Sequence, residues 1–263
     1  MLRRLPSRAA LLVVLLVGVV GGLDILRAAT ATPLETVEAE FRRAVSSVRP
    51  ATVVCMPHGV ARGEAGFSSG VLISARGLLL SDGDAGLRRR VENGQEISTW
   101  LSEVDVRVPA GENAWRTYRA RVISRDRKAD TSVLQIHPPP ARPLPFVRLA
   151  SSDALEVGSF VFALGTAFDE DGRAPPTATA GIVSAFQPRG PGERGGRHAF
   201  LYMTTGVNKG VNGGPVVDLA GRLVGTVSTW VEPEPTEPYQ FLGKVVPIDR
   251  IRAAHAGLRS TAT

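Results

Sequence analysis

The stretch Gly206-Val207-Asn208-Lys209-Gly210-Val211-Asn212-Gly213-Gly214-Pro215-Val216-Val217 decides how the rest of the sequence is interpreted. Glycine reaches backbone conformations that other residues avoid, and a run of glycines lets successive amides point into a cleft. Pro215 then opens an apolar segment that suits a short strand. The stretch therefore predicts a turn whose backbone amides line a cleft.

On both sides of this turn the chain consists of short apolar runs separated by Gly, Pro and Asn. Runs that recur about every 8–12 residues are typical of all-β barrels and sandwiches. The Pro-rich residues 137–143 divide them into two halves, at about 51–137 and 146–248. Thr32-Pro33-Leu34-Glu35 has the pattern of a capping box that starts a helix, and residues 248–258 suit a short closing helix.

Seven motifs follow one another along these two halves. They are Gly70-Val71-Leu72-Ile73, Asp130-Thr131-Ser132-Val133-Leu134, residues 158–165, Ala180-Gly181-Ile182-Val183-Ser184, residues 210–215, residues 221–225 and Val246-Pro247-Ile248. In this order they resemble the motifs of trypsin-like serine proteases, and most closely those of the HtrA/Deg branch. The resemblance covers about residues 34–253 and implies a trypsin-like double β-barrel with an N-terminal helix and a short C-terminal helix. We expect one domain over residues 32–263, with no PDZ domain after it.

The catalytic positions of this family are altered. Where the family has Gly-x-Ser-Gly-Gly-Pro with a nucleophilic serine, this chain has Asn212. Where the family has a pattern resembling Leu-Thr-x-x-His-Val, residues 80–85 place Asp84 at the position of the histidine base. Asp130 matches the acid that orients the base. An amide cannot be deprotonated to attack a carbonyl, so the triad-equivalent positions Asp84, Asp130 and Asn212 predict that the covalent mechanism is lost.

The resemblance also implies a substrate cleft. The backbone amides of Gly210 and Asn212 match the oxyanion hole, although the glycines there would also serve simply to keep a turn foldable. Gly206 matches the floor of the primary specificity pocket, and with no acidic group there a small or apolar side chain is favoured. Thr226-Val227-Ser228 resembles the edge to which an extended peptide adds as a strand.

Two carboxylates in the space of a His–Asp pair would repel each other. Either Asp84 or Asp130 should then have a raised pKa, or a cation should lie between them with the Asn212 oxygen as a third ligand. The alternative is that Asp84 points to water. Three oxygens are too few for a tight calcium site, so we predict no metal and no cofactor. The histidines are expected at the surface, rather than as a displaced base: His58, His137, His198 and His255.

The N-terminus has the composition of an export signal. Arg3, Arg4 and Arg8 precede an apolar run over residues 9–23, and Ala29-Thr30-Ala31 suits a signal peptidase. Residues 1–31 are therefore predicted to be a signal peptide or, alternatively, an N-terminal membrane anchor through residues 9–31. Both predict export, to the periplasm or the extracellular space, and the anchor would lie in the inner membrane.

The net charge and the cysteine content of the sequence bear on its partners and its core. The leader holds +3 of the formal net charge of +6, which argues against nucleic acid as a partner. Cys55 is the only cysteine and lies in an apolar run, so it is predicted to be a buried core residue.

The sequence predicts a catalytically inactive HtrA-like serine protease homologue of the bacterial envelope that binds polypeptide or a protein partner. Two alternatives remain open. One is an active serine-type endopeptidase with an unrecognised triad, and the other is a structural subunit of a paralogous protease. The oligomeric state is not specified by any of these patterns.

Overall fold

The computed structural model describes residues 32–60, 66–111, 114–166, 175–191, 194–208, 210–228 and 242–258. The chain divides into two units, Met1–Arg42 and Arg43–Thr263. The predicted leader, residues 1–31, lies outside the described residues. Within the described ranges no helix has the length and apolar character needed to cross a membrane.

Helix α1 spans Pro33–Val48 and begins with the predicted capping box. The Thr32 amide donates to Glu35 Oε2 at 2.7 Å, and the Glu35 amide donates to Thr32 Oγ1 at 3.3 Å. Pro33 stands at the first helical position, where no amide hydrogen is needed. In the second unit the helix ends with Val48 buried, and a 3₁₀ turn follows over Arg49–Ala51.

The first half of the second unit builds a closed antiparallel barrel. The strands of this half are β1 (Thr52–Pro57), β2 (Ser68–Leu72), β3 (Leu78–Asp82), β4 (Leu87–Glu92), β5 (Gln95–Trp100), β6 (Glu103–Pro109), β7 (Trp115–Asp126) and β8 (Thr131–Ile136). The barrel order is β1-β2-β3-β8-β7-β6. In β6 the side chains of Val104, Val106 and Val108 are buried while those between them are partly exposed, as expected of a strand with one face on a core.

Strands β4 and β5 form a separate two-stranded sheet, here called the β4–β5 ribbon, which the sequence analysis did not predict. Asn93 and Gly94 join the strands with positive φ angles of 53° and 80°. A two-residue turn with positive φ at both positions matches the twist of antiparallel strands, and Asn-Gly is its preferred sequence. Every residue of β5 is exposed, so the ribbon lies outside the barrel core.

The second half builds another closed barrel. Its strands are β9 (Phe160–Gly165), β10 (Thr177–Pro188), β11 (His198–Met203), β12 (Pro215–Val217), β13 (Leu223–Ser228) and β14 (Gly243–Pro247). The order around this barrel is β10-β11-β14-β13-β12-β9. Its core is almost entirely aliphatic and includes Val161, Leu201, Met203, Val216 and Val245. The predicted all-β double barrel is confirmed.

Helix α2, Ile248–Ala254, follows β14 directly. Its Arg250 Nη2 donates to the Lys128 carbonyl, between β7 and β8, at 3.3 Å. The helix ends before the predicted residue 258, because the chain leaves the helix at His255 and makes a 3₁₀ turn over Ala256–Leu258. His255 is buried, with Nδ1 2.7 Å from Ser124 Oγ and Nε2 2.9 Å from Thr131 Oγ1. The expectation of a surface histidine was wrong here, because the partners come from β7 and β8, far away in the sequence.

Candidate functional site

The glycine-rich turn lies where the two barrels meet. The Val211 amide donates to the Asn208 carbonyl at 3.2 Å, and the Gly214 amide donates to the Val211 carbonyl at 2.9 Å, so two tight turns lead into β12. Gly213 has a φ of 78°, and a Cβ there would collide with the Ser69 carbonyl and the Asp82 amide. The position therefore requires glycine both for its backbone angle and for its close contact with the first barrel.

Ser69 of β2 fixes this turn from the first barrel. Its amide donates to the Asn212 carbonyl at 2.8 Å, and its hydroxyl donates to the Gly210 carbonyl at 2.7 Å. The same hydroxyl accepts from the Thr166 amide at 2.9 Å. The carbonyls of the two residues predicted to supply the oxyanion amides are thus both held by one serine.

The Asn212 side chain points to Asp82. Nδ2 of Asn212 donates to Asp82 Oδ2 at 2.6 Å. Asp82 is only 4% exposed, and its Oδ1 meets no hydrogen-bond partner within the described part of the chain. Burial, together with the nearby charges of Asp130 and Asp84, raises the pKa of Asp82 to about 8, against the lowering effect of hydrogen bonds from Ser68 and Asn212. At neutral pH this carboxyl is mainly protonated.

Asp130 keeps the surroundings of an orienting acid. Oδ1 accepts from the Gly83 amide at 3.1 Å, and Oδ2 accepts from Ser228 Oγ at 2.6 Å. The residue has a φ of 47°, which aspartate tolerates better than most residues. Burial raises the pKa of Asp130 against the lowering effect of these two hydrogen bonds, and the charge of Asp84 adds to the increase.

Asp84 pairs with the β4–β5 ribbon. Its carboxylate accepts from Arg89 Nη2 of the β4–β5 ribbon at 3.1 Å, and its side chain is 48% exposed. Of the triad-equivalent residues, Asn212 is therefore joined to Asp82, Asp130 to Ser228 and Gly83, and Asp84 to Arg89. The sequence analysis passed over Asp82. Asp82 could have been recognised as a carboxyl that follows the apolar run Leu78-Leu79-Leu80 in the same strand. That strand is buried on both faces at its end, so the carboxyl is buried as well.

Other candidate nucleophiles and bases are engaged elsewhere. His58 Nδ1 lies 2.9 Å from Asp105 Oδ1, and His198 stacks on Phe186 with ring centroids 4.2 Å apart. Cys55 is buried as predicted, and burial raises the pKa of its thiol to about 12, so it is not an activated thiolate.

The predicted cleft residues have different surroundings. Gly206 is exposed, and a Cβ there would meet nothing within 4 Å. Thr226 and Val227, in contrast, lie inside the second barrel, because β13 pairs with β12 on one side and β14 on the other. The expectation that they form an edge for an added strand was wrong, since their backbone groups already have partners. Ser228 is buried and bound to Asp130.

A surface depression beside α2 is structural. Asp153, Gly196, Asp249 and Arg252 line it. Asp249 Oδ2 accepts from Ser151 Oγ at 2.9 Å, from the Ser152 amide at 2.7 Å and from Ser152 Oγ at 2.8 Å. These donors occupy Oδ2, and Arg252 Nη1 lies 3.5 Å from Oδ1, so the carboxylate holds α2 to the segment before β9.

A scan for known domains finds a trypsin-like peptidase domain over residues 68–225, which is more than half of the chain. The chain belongs to the trypsin-like peptidase family. The matched region of this trypsin-like domain includes Asp84, Asp130 and Asn212, as well as the whole β4–β5 ribbon.

Curated relatives confirm the resemblance to the Deg branch. The trypsin-like domain is 30% identical over 169 residues to the periplasmic serine endoprotease DegP of Salmonella typhimurium, covering 64% of this chain and 31% of the relative. It is 32% identical over 161 residues to the periplasmic pH-dependent serine endoprotease DegQ of Escherichia coli, covering 61% and 30%. A probable periplasmic serine protease do/HhoA-like of Haemophilus influenzae is 28% identical over 169 residues, covering 64% and 32%. The chain spans about a third of the length of these relatives.

Proposed function

We propose that the protein is a catalytically inactive trypsin-like peptidase homologue, exported to the periplasm, that binds polypeptide through the former substrate cleft. The relatives named above are periplasmic, which supports export of this chain as well. The predicted leader over residues 1–31 is consistent with the same location, as a signal peptide or as a tether.

The contact between Asn212 and Asp82 carries this proposal. The position of the nucleophile holds a carboxamide, which has no proton that a neighbouring base could remove to generate an attacking oxygen. Its amide nitrogen is 2.6 Å from a carboxyl that is mainly protonated at neutral pH. Such a pair is a buried hydrogen bond rather than a nucleophile with its base.

The position of the base supports the same conclusion. The Asp84 carboxylate lies 3.1 Å from Arg89 Nη2 of the β4–β5 ribbon, so its charge forms an ion pair there. Asp130 retains its contacts to Ser228 and Gly83, but the residue that it would orient is not an imidazole. The glycine-rich turn and Asp130 would therefore hold a bound polypeptide without cleaving it.

Polypeptide binding rests on the open space beside Gly206. A Cβ at this exposed position has no neighbour within 4 Å, so a partner side chain has room there. Since position 206 carries no acidic side chain, a small or apolar side chain is favoured over a lysine or arginine. The partner is then an extended polypeptide or an exposed segment of another protein.

Fluorescence anisotropy with a labelled, unfolded casein tests this binding directly. Gly206→Phe should fill the space and weaken binding by at least about tenfold, since losing a well-packed anchor costs about 2 kcal/mol or more. Gly257→Phe is the matched control, because Gly257 lies exposed in the last 3₁₀ turn and a Cβ there would likewise meet nothing within 4 Å. Equal affinities for both variants and the wild type would exclude the Gly206 site.

The active-enzyme alternative has a specific place to be tested. Ser124 Oγ lies 2.7 Å from His255 Nδ1, which is the distance expected of a serine with a base. The other imidazole nitrogen, however, contacts Thr131 rather than a carboxylate. A fluorophosphonate should leave the protein unlabelled; labelling that Ser124→Ala removes would overturn the proposed inactivity. Co-purification of an active protease from the native envelope would instead favour the structural-subunit alternative.

A further inference from the structure

We propose that the outer edge of β5 pairs with β5 of a second copy of this chain, so that two β4–β5 ribbons form one four-stranded antiparallel sheet. The inference does not depend on polypeptide binding beside Gly206.

The barrels leave few strand edges unpaired. Within the described residues, both six-stranded sheets are closed, so each of their strands has a neighbour on both sides. The β4–β5 ribbon is the two-stranded exception, and each of its strands has one open edge among those residues. An isolated two-stranded ribbon is marginally stable in water, whereas three or more strands sustain a sheet. The ribbon is therefore the place where an added strand contributes most.

The turn fixes which backbone groups face outward on β5. In a two-residue hairpin the residues that flank the turn, Glu92 and Gln95, form the hydrogen-bonded pair, and the pattern alternates from there. The Leu101 amide donates to the Gly86 carbonyl at 2.9 Å, as this alternation requires. The amides and carbonyls of Glu96, Ser98 and Trp100 consequently point away from β4.

Charge decides between the two edges. If β4 paired with itself antiparallel, Arg88, Arg89 and Arg90 would lie opposite one another, and like charges directly across a ladder are destabilising. Strand β5, with the sequence Gln95-Glu96-Ile97-Ser98-Thr99-Trp100, has one charged residue and no proline, lysine or bulge to protect its edge. The edge of β5 is therefore the one suited to self-pairing.

The surroundings of Trp100 favour one register. The Arg125 guanidinium lies 4.1 Å from the Trp100 ring centroid, and that of Arg127 lies 5.5 Å from it. A two-fold axis through Ser98 places Glu96 of each copy opposite Trp100 of the other, on the same face of the sheet. The Glu96 carboxylate, which lies 3.5 Å from Arg89 Nε of its own ribbon on an exposed face, then also approaches two arginines of the other copy. Ser98 faces its own symmetry mate.

Sedimentation equilibrium of the full chain over a wide concentration range tests the dimer. Ser98→Pro removes an outward amide and leaves the bonds to β4 in place, so it should weaken dimerisation by at least about tenfold. Val91→Pro is the matched control, because Val91 is exposed and its amide points outward from the other edge of the ribbon. It should leave the dimer unchanged. Glu96→Gln should weaken the dimer and reduce its dependence on salt.

A cysteine scan provides a readout that does not depend on how proline is tolerated. Hydrogen-bonded antiparallel residues lie about 5.5 Å apart at Cα, within the range that a disulfide spans. Ser98→Cys should therefore cross-link two copies under mild oxidation, and Val91→Cys should not. The native Cys55 is buried and does not interfere. A chain that stays monomeric at all concentrations, or a dimer that cross-links through Val91→Cys and not Ser98→Cys, would overturn the proposal.

Discussion

Asp82→Asn should abolish a large part of the pH dependence of stability. The Asp82 pKa is about 8 in the folded protein and 3.8 for the unperturbed group. Between these values the folded protein holds a proton that the unfolded chain has lost. The contribution of Asp82 to the free energy of unfolding is then fully present below about pH 4, falls as the pH rises, and levels off above about pH 8.

The size of this effect follows from the width of the interval. One proton bound only by the folded state changes the free energy of unfolding by about 1.4 kcal/mol per pH unit. At pH 7 the accumulated loss is on the order of 4 kcal/mol. Asparagine has the same shape, can still accept from Asn212 Nδ2, and does not titrate. The variant should therefore match the wild type near pH 4 and exceed it increasingly toward pH 8.

Urea unfolding followed by tryptophan fluorescence at several values between pH 4.5 and 8.5 measures the difference. Asp84→Asn is the matched control, since it removes a half-exposed carboxylate that pairs with Arg89 on the surface. Such pairs contribute roughly 0–1 kcal/mol, and burial rather than the Asp84 charge is the main cause of the raised Asp82 pKa, so this control should keep most of the wild-type slope. Asp130 should leave both variants a residual slope of the same sign, because its pKa is also raised. Parallel curves for Asp82→Asn and the wild type would refute the protonated Asp82.

Three further outcomes are expected. The unmodified protein should not hydrolyse fluorescent casein, and neither Asn212→Ser nor Asp84→His alone should restore activity. The double variant should gain slow turnover, because triad members act as a unit. Turnover by the unmodified protein that persists in Asn212→Ala would place the chemistry elsewhere. His255→Phe should lower the free energy of unfolding by about 2–4 kcal/mol in urea denaturation near pH 7.5, because two partly or fully buried hydroxyls lose their partner. Burial lowers the pKa of His255, so the contribution of this imidazole to stability should decline as the pH falls below about 6.5, opposite in sign to the Asp82 effect. The difference between wild type and His255→Phe should therefore shrink below that pH, and a constant difference would contradict a buried neutral imidazole. Ser69→Ala should cost about 1–3 kcal/mol by leaving the Gly210 carbonyl and the Thr166 amide without this partner, compared with a conservative Ser69→Thr variant.

The sequence was sufficient for features that repeat or that depend on local chemistry. Apolar runs at regular spacing predicted both barrels, and Thr32 with Glu35 predicted the start of α1, because capping is a contact between near neighbours. The β4–β5 ribbon had an equally local signal in Asn93-Gly94, but its strands carry three arginines and little apolar character, so a search for buried strands missed it.

Features that depend on contacts between distant residues could not be predicted in this way. Asp84 and Asp82 are two residues apart, and only the packing of the second barrel against the end of β3 directs Asn212 to Asp82. In the same way, His255 has its partners in the other barrel. Thr226 and Val227 resemble an edge in sequence, yet their pairing with β12 and β14 depends on closure of the whole barrel.

Helix α2 has a consequence for the order in which the chain can mature during synthesis. The strands of the first barrel are complete once Ile136 has emerged. Yet the hydrogen-bond partner of Thr131 is the His255 imidazole, 124 residues later in the chain. Ser124 contacts the same imidazole, 131 residues after it. Arg250 likewise reaches the Lys128 carbonyl only after the second barrel has been made. A chain that ended before Ile248 would thus contain every strand of the first barrel but would lack these polar contacts of Ser124, Thr131 and Lys128.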